Sequence, residues 1–196
     1  MALPPYRCGC DNPRASAVTV PPVSSIVRVD QHVTVPWRNG GGTSLELFRH
    51  GGPEDFRWRI TIVTMDADSQ FSVFAGYERW QMLLSGAGMG LHGVGRADSV
   101  GQVLQFPGEL APGWSLIDGP VTEFNVFVRR GQGWADVSLV DITDEADIVA
   151  VAVVALSEGL SFDGESVARY ETVLANGGVA VRVTGRGTAV VVNLLS

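Results

Sequence analysis

The chain has 196 residues and a mass of 20.9 kDa; with 45% apolar residues it suits one large domain or two small ones with a true core, and it is not a disordered tail. All fourteen of its cations are arginine and lysine is absent, which excludes Schiff-base, pyridoxal-phosphate and Walker-lysine chemistry. Twenty-one acids bring the net charge to -7 and the pI to about 4.9, which argues against duplex nucleic acid as a partner, because phosphate binding needs a basic face.

Taken in chain order, residues 1–22 include five prolines and read as a leader outside the core. Cys8 and Cys10 lie too close together for an easy disulfide and are too few for a closed zinc site, so they read as reduced thiols. With no apolar run of membrane-spanning length and no secretory pattern, a cytoplasmic protein with no membrane partner is expected. From Val23 onward, short segments rich in Val, Ile, Thr, Phe and Trp are separated by Gly or Asp clusters, the pattern of an all-β sandwich or barrel. Strands are predicted over 24–29, 43–49, 56–64, 79–84, 88–92, 102–106, 114–117, 121–130, 134–140, 148–155, 168–174, 178–184 and 188–195. Only Asp141 to Asp147 suggests a helical turn.

Two predicted strands show which side chains share a face. Phe56, Trp58, Ile60 and Ile62 alternate with Arg57, Arg59 and Thr61, and Phe124, Val126 and Val128 alternate with Glu123, Asn125, Phe127 and Arg129. A polar strand face is either the wet side of a sheet or the lining of a pocket. Eleven of the arginines fall in residues 1–130 and three in 131–196, so a site for an acidic ligand is expected in the first two thirds. Sliding the chain by ninety positions lays Arg79 to His92 over Arg169 to Arg182, which suggests two similar sheets or barrels in tandem.

The histidines, His32, His50 and His92, are isolated from one another in sequence, so no mononuclear metal site is expected. Gly88 to Gly93 matches G-x-G-x-x-G, but a strand follows it instead of a helix, and it reads as a β-hairpin. Asn39-Gly40-Gly41-Gly42-Thr43 is more informative. Three glycines allow a tight turn or close approach to a ligand, and Thr43 to Leu47 follow as an alternating strand.

The run Pro36-Trp37-Arg38-Asn39-Gly40-Gly41-Gly42-Thr43 with Glu46 is similar to the opening signature of the HutD/Ves family. Further stretches match in the same order, namely Asp55 to Ile62, Asp66 to Arg79, Leu83 to Met89 and Gly119 to Gly131. The family usually carries an Arg shortly after the glycines, where this chain has Thr43-Ser44-Leu45. The resemblance implies an all-β, cupin-like double β-barrel (a bicupin) without the usual cupin metal ligands and without a cofactor. It also implies a link to bacterial histidine utilisation, whose intermediates include small carboxylates.

The expected organisation is a leader over 1–22, a first barrel over 23–131 and a second, smaller one over 132–196 that shares strands with the first. The expected function is metal-free binding of a formylglutamate- or urocanate-type carboxylate that tunes the pathway. Arg59 is the expected carboxylate anchor, since guanidinium–carboxylate forks are strong and directional. Asn39 and Asn125 would add amide hydrogen bonds, Thr61 a hydroxyl and Trp37 an apolar wall. Arg38, Thr43, Arg79 and Arg129 complete the candidate set, and Glu46 would orient an arginine or act as a base. The alternative is a hydrolase or isomerase of an amide or lactam with Glu46 or Glu123 as general base. A third reading, a protein-interaction module, would need Trp114 or Trp134 in an exposed cluster. A homodimer is compatible with a barrel of this size.

Overall fold

The computed structural model describes residues 24–37, 42–175 and 179–195. The leader with Cys8 and Cys10 therefore lies outside the described residues. Among those residues there is no α-helix; strands dominate, as the density of β-branched and aromatic residues dictates.

In chain order the strands are β1 (Ser24–Val27), β2 (Val33–Pro36), β3 (Thr43–Gly51), β4 (Phe56–Met65), β5 (Ser69–Gln70), β6 (Tyr77–Ser85), β7 (Met89–Leu91), β8 (Gly95–Ala97), β9 (Val103–Pro107) and β10 (Gly113–Leu116). They continue with β11 (Val121–Arg129), β12 (Trp134–Ile142), β13 (Glu145–Val149), β14 (Ala152–Ala155), β15 (Leu160–Phe162), β16 (Glu165–Val167), β17 (Thr172–Ala175), β18 (Ala180–Gly185) and β19 (Gly187–Leu195). The predicted helical turn at Asp141–Asp147 does not form. β12 runs through Ile142, the Asp144 carbonyl accepts from Gly185 N (2.8 Å), and β13 pairs with β18. The predicted strand 148–155 is likewise two strands in two different sheets.

All pairings are antiparallel and make four sheets, ordered β2-β3-β4-β11-β6-β9, β5-β10-β7-β8, β1-β17-β14-β19-β12 and β13-β18-β15-β16. The order β4-β11-β6-β9 recurs as β12-β19-β14-β17, and β5-β10-β7-β8 recurs as β13-β18-β15-β16. The chain is thus two halves with one topology, but not in the ninety-residue register. The hairpin β7–β8 corresponds to β15–β16, and both Gly88 with Gly159 and Gly93 with Gly164 are displaced by 71 positions, all four with positive φ. Gly88 cannot be replaced freely, because at φ +123 a Cβ would strike the Ala97 carbonyl.

The six- and five-stranded sheets pack face to face. Ile60, Ile62, Trp80, Met82, Phe124 and Val126 meet Ala152, Val154, Val190 and Val192, each such large side chain contributing about 1.5–3 kcal/mol of transfer free energy. The second half is filled by Val153, Leu160, Phe162, Val173, Val181 and Val183. β1 pairs with β17 of that half and is clasped there: Arg28 Nη1 donates to Glu171 Oε2 (2.8 Å) and Arg28 Nη2 to Glu165 Oε2 (2.5 Å), while Val29 N donates to Glu171 Oε1 (3.3 Å).

Candidate functional site

The inner face of the six-stranded sheet in the first half is polar and buried. Strand register sets its rows: Arg59, Phe127 and Arg79 lie side by side on β4, β11 and β6, and Thr61, Asn125 and Gln81 form the next row. β3 brings Arg49 opposite Arg59 and Glu46 opposite Thr61. Glu46, Arg59, Thr61, Arg79, Gln81, Glu123 and Asn125 are all buried, so the face cannot be the wet side of the sheet.

Above this face lies a cavity of about 190 Å³ bordered by Trp37, Ser44, Arg49, Arg59, Thr61, Gln70, Phe71, Phe74, Arg79, Trp114, Asn125 and Phe127, among others. That is somewhat more than the roughly 150 Å³ that admits a benzene ring. One wall is aromatic. The Arg79 guanidinium carbon stands 4.4 Å from the Phe71 ring, 4.7 Å from Phe127 and 5.0 Å from Phe106; that of Arg59 stands 4.6 Å from Phe127, 5.1 Å from Phe56 and 5.2 Å from Phe74. Desolvated guanidiniums gain about 2 kcal/mol from such faces.

Glu46 sits behind the lining. Both its oxygens face Arg49 Nη1 (3.0 and 3.1 Å), and its Oε2 lies 3.7 Å from Arg59 Nη1, so it fixes two arginines at once. Arg79 differs: its Nη2 donates to Asn125 Oδ1 (3.3 Å), but its Nε and Nη1 have no hydrogen-bond partner among the described residues. Burial pushes the Arg79 guanidinium down to about 9, so it stays protonated at neutral pH. Burial pushes the Glu123 carboxyl up to about 8, against the pull of Arg79 and of the Gln81 amide that donates to it. Burial thus favours the protonated form of Glu123 at neutral pH, and Arg49, Arg59 and Arg79 against Glu46 and Glu54 leave the lining with net positive charge.

Trp37 closes one side. Its Nε1 donates to Ser44 Oγ (2.9 Å), its ring meets Trp114 edge-on at 5.8 Å, and its backbone N donates to Gly42 O (2.9 Å). A Cβ on Gly42 would come within 2.9 Å of the indole, which explains the third glycine.

The structure brings Trp37, Arg59, Thr61, Arg79 and Asn125 to one cavity, with Glu46 immediately behind. It does not bring Thr43, which is exposed and borders a second, more open cavity of about 530 Å³ beside Asp66 and Asp68. Arg129 is also apart, paired with Asp55 and 5.8 Å from the Tyr77 ring centroid. Arg38 and Asn39 lie outside the described residues. Sequence reasoning missed Arg49, Gln70, Phe71, Phe74 and Gln81, of which Gln81 alone carries a local signal, its alternation with Arg79 along β6. Phe56 differs from its predicted face: the β3–β4 register slips at His50/Gly51, and Phe56 packs on Tyr77 at 4.4 Å and under Arg59. Trp114 is buried in the cavity wall, not surface-exposed, and Trp134, although half-exposed, stands edge-on to Trp80 at 5.1 Å. Among the described residues no three His, Cys, Asp or Glu side chains gather to hold a metal ion, and none of their helices is long and apolar enough to cross a membrane.

The family model named HutD matches residues 29–192. The chain belongs to the HutD family. A conserved protein of unknown function from Pseudomonas aeruginosa PAO1 has a similar structure (TM-score 0.77, 28% identity, 88% of this chain and 99% of that one), as does HutD from Pseudomonas fluorescens SBW25 (0.67, 27%, 88% and 100%). Among curated proteins it resembles an uncharacterized 21.2 kDa protein of the hutC 3' region of Pseudomonas putida (32% identity; 52% of this chain, 56% of that one) and Protein Ves of Cronobacter sakazakii (32%; 55% and 61%). The HutD-family chain thus spans rather more than half the length of the curated relatives it matches. The Escherichia coli pirin YhhW, solved with nickel(II), shares the fold alone (TM-score 0.59, 9% identity, 88% and 99%) and marks it as cupin-like. This HutD-family chain is accordingly an all-β protein with a cupin-like fold.

Proposed function

We propose that the Arg-lined cavity binds a small carboxylate of histidine breakdown, of the formylglutamate or urocanate type, and that occupancy tunes the pathway without turnover. The observation that carries this is Arg79: a buried guanidinium on the cavity wall, two of whose nitrogens have no hydrogen-bond partner among the described residues. Unmade hydrogen bonds of a buried charged group cost free energy, and a carboxylate is the group that recovers it. Arg59, held by Glu46, would share the charge; Thr61, Asn125 and Gln70 would supply polar contacts and Trp37 and Trp114 flat apolar walls. We also read each half as one barrel of a bicupin, over 23–131 and 132–196, with β1 completing the second. The enzyme reading has less support, because Glu46 is committed to two arginines and Glu123 holds a proton at neutral pH.

Calorimetric titration with formylglutamate and with urocanate tests the proposal. The expected result is one-site binding of at least one of them, weakened roughly 10- to 150-fold in Arg79→Ala and in Arg59→Ala, the range for a hydrogen bond to a charged group of about 1.5–3 kcal/mol. Heat with neither compound, or unchanged affinity in both variants, overturns it; catalytic conversion of either favours the enzyme reading instead.

A further inference from the structure

Behind the cavity wall a polar ladder runs deeper into the first half. Asn125 on β11 and Gln81 on β6 stand directly opposite one another. Asn125 Oδ1 accepts from Arg79 on the row toward the cavity, and Gln81 Nε2 donates to Glu123 on the row away from it. All four side chains are at most 3% exposed. Glu123 does not line the cavity and would touch no ligand there. β4 presents Val63 and β6 presents Leu83 beside it, and the opposite sheet adds apolar residues such as Met89 and Trp114 to the same cluster. The cation that bears on Glu123 is Arg79; the charges that bear on Arg79 are Glu123 and the like-charged Arg59.

Two charge states of this ladder have opposite consequences for an anion. With Glu123 protonated, the Arg79 charge is uncompensated and its field points into the cavity. With Glu123 ionised, a carboxylate sits in an apolar, unscreened setting whose cation is Arg79, and a second carboxylate in the cavity must compete for that same guanidinium. We infer that Glu123 is a proton switch for the cavity: an anion is taken up while Glu123 carries its proton and released when that proton is lost. This rests on the carboxylate-binding reading above and adds its regulation. Linkage makes the effect reciprocal, so a bound anion strengthens the hold of Glu123 on its proton. The burial-raised carboxyl places the switch just above neutrality. Because the competent state is then only a fraction of the total above that point, apparent affinity falls about tenfold from pH 7 to pH 9.

The test titrates the full chain with sodium formylglutamate and sodium urocanate from pH 6.5 to 9, in wild type and in Glu123→Gln. A loss of about tenfold or more in wild type with no more than about a twofold loss in the variant, the part left to the Arg79 guanidinium near pH 9, supports the switch. No loss in wild type, or the same loss in both proteins, overturns it; the latter would mean that Arg79 itself is the group titrating. Glu123→Met, uncharged and similar in volume, replaces the amide variant if that fails to fold. Carboxyl carbon NMR of glutamate-labelled protein reads the proton directly and separates this inference from the one beneath it. Absence of binding at pH 6.5 overturns the carboxylate reading, whereas a Glu123 midpoint in the ordinary range near 4 overturns the switch whether or not an anion binds.

Discussion

The guanidinium carbon of Arg79 lies 4.7 Å from the ring centroid of Phe127, and that of Arg59 lies 4.6 Å from the same ring. Cross-strand register puts the ring between two like charges that would otherwise be neighbours in a buried row. Phe127→Leu should therefore remove cation–π attraction from both arginines and leave them facing each other across an aliphatic side chain. The expected result is a folded protein whose Tm falls by about 4–8 °C, from about 2 kcal/mol lost at 2–4 °C per kcal/mol. An unchanged Tm by calorimetry would mean that the ring does no more than fill space.

Glu46→Gln is expected to act in opposite directions on stability and binding. Arg49 and Arg59 lose their shared counter-charge, and breaking a buried ion pair costs about 3–5 kcal/mol. The same change leaves the cavity wall more positive, so formylglutamate affinity rises while the Tm drops. Parallel melts and calorimetric titrations measure both; a fall in both would identify Glu46 as part of the binding surface itself.

Burial raises the Glu123 carboxyl to about 8, so the native state holds a proton that the unfolded chain releases in the ordinary carboxylate range. The native chain binds more protons between those two values, hence stability falls as pH rises through them. Glu123→Gln removes this dependence. The variant should melt at least about 2 °C above wild type at pH 8.5, with the gap closing toward pH 5. Denaturation curves at both pH values check it, and parallel wild-type and variant curves would contradict it.

Burial pushes the Glu171 carboxyl up, but the Arg28 guanidinium and the backbone amides of Ala168 and Val29 pull it down further, leaving it below its ordinary value. Its clasp on β1 is therefore present above the ordinary carboxylate range and is lost as pH falls through the lowered value. Glu171→Gln should speed hydrogen exchange of the Ile26 and Val27 amides severalfold while leaving β4 and β11 protected. Equal protection of β1 in both proteins would show that pairing with β17 suffices.

Gly42→Ala brings a methyl group within contact distance of the Trp37 indole. The indole must shift, opening the contact with Trp114, so tryptophan emission should move to longer wavelength and carboxylate affinity should fall. An unchanged spectrum would mean that the loop absorbs the methyl group elsewhere.

The parts of this arrangement that were legible in the sequence depend on a single strand. Alternation along β4 and β11 places Arg59 with Thr61 and Asn125 with Phe127 without knowledge of any partner, and the structure has both pairs facing inward. What escaped depends on register between strands far apart in the chain: Arg49 meets Arg59 only because β3 pairs with β4 through two irregularities, and these also carry Phe56 to the other side. The duplication was visible as a tendency but misaligned, because glycines and leucines matched by chance at ninety positions while the true equivalence lies in strand order. The protonation of Glu123 could not be read from its residue type, since burial and a single cation determine it.

The two halves repeat one strand order, yet among the described residues the core of the second is apolar, with Val153, Leu160, Phe162 and Val191, and its buried carboxylate Glu171 is paired with Arg28. Two equivalent chambers would titrate with two ligands per chain, with room for cooperativity between them. Here the first half has Arg59 and Arg79 on its cavity wall, whereas Leu, Phe and Val fill the core of the second. On the carboxylate-binding proposal the first half is the one receptor and the second its backing, and titration should give a plain hyperbola saturating at one equivalent.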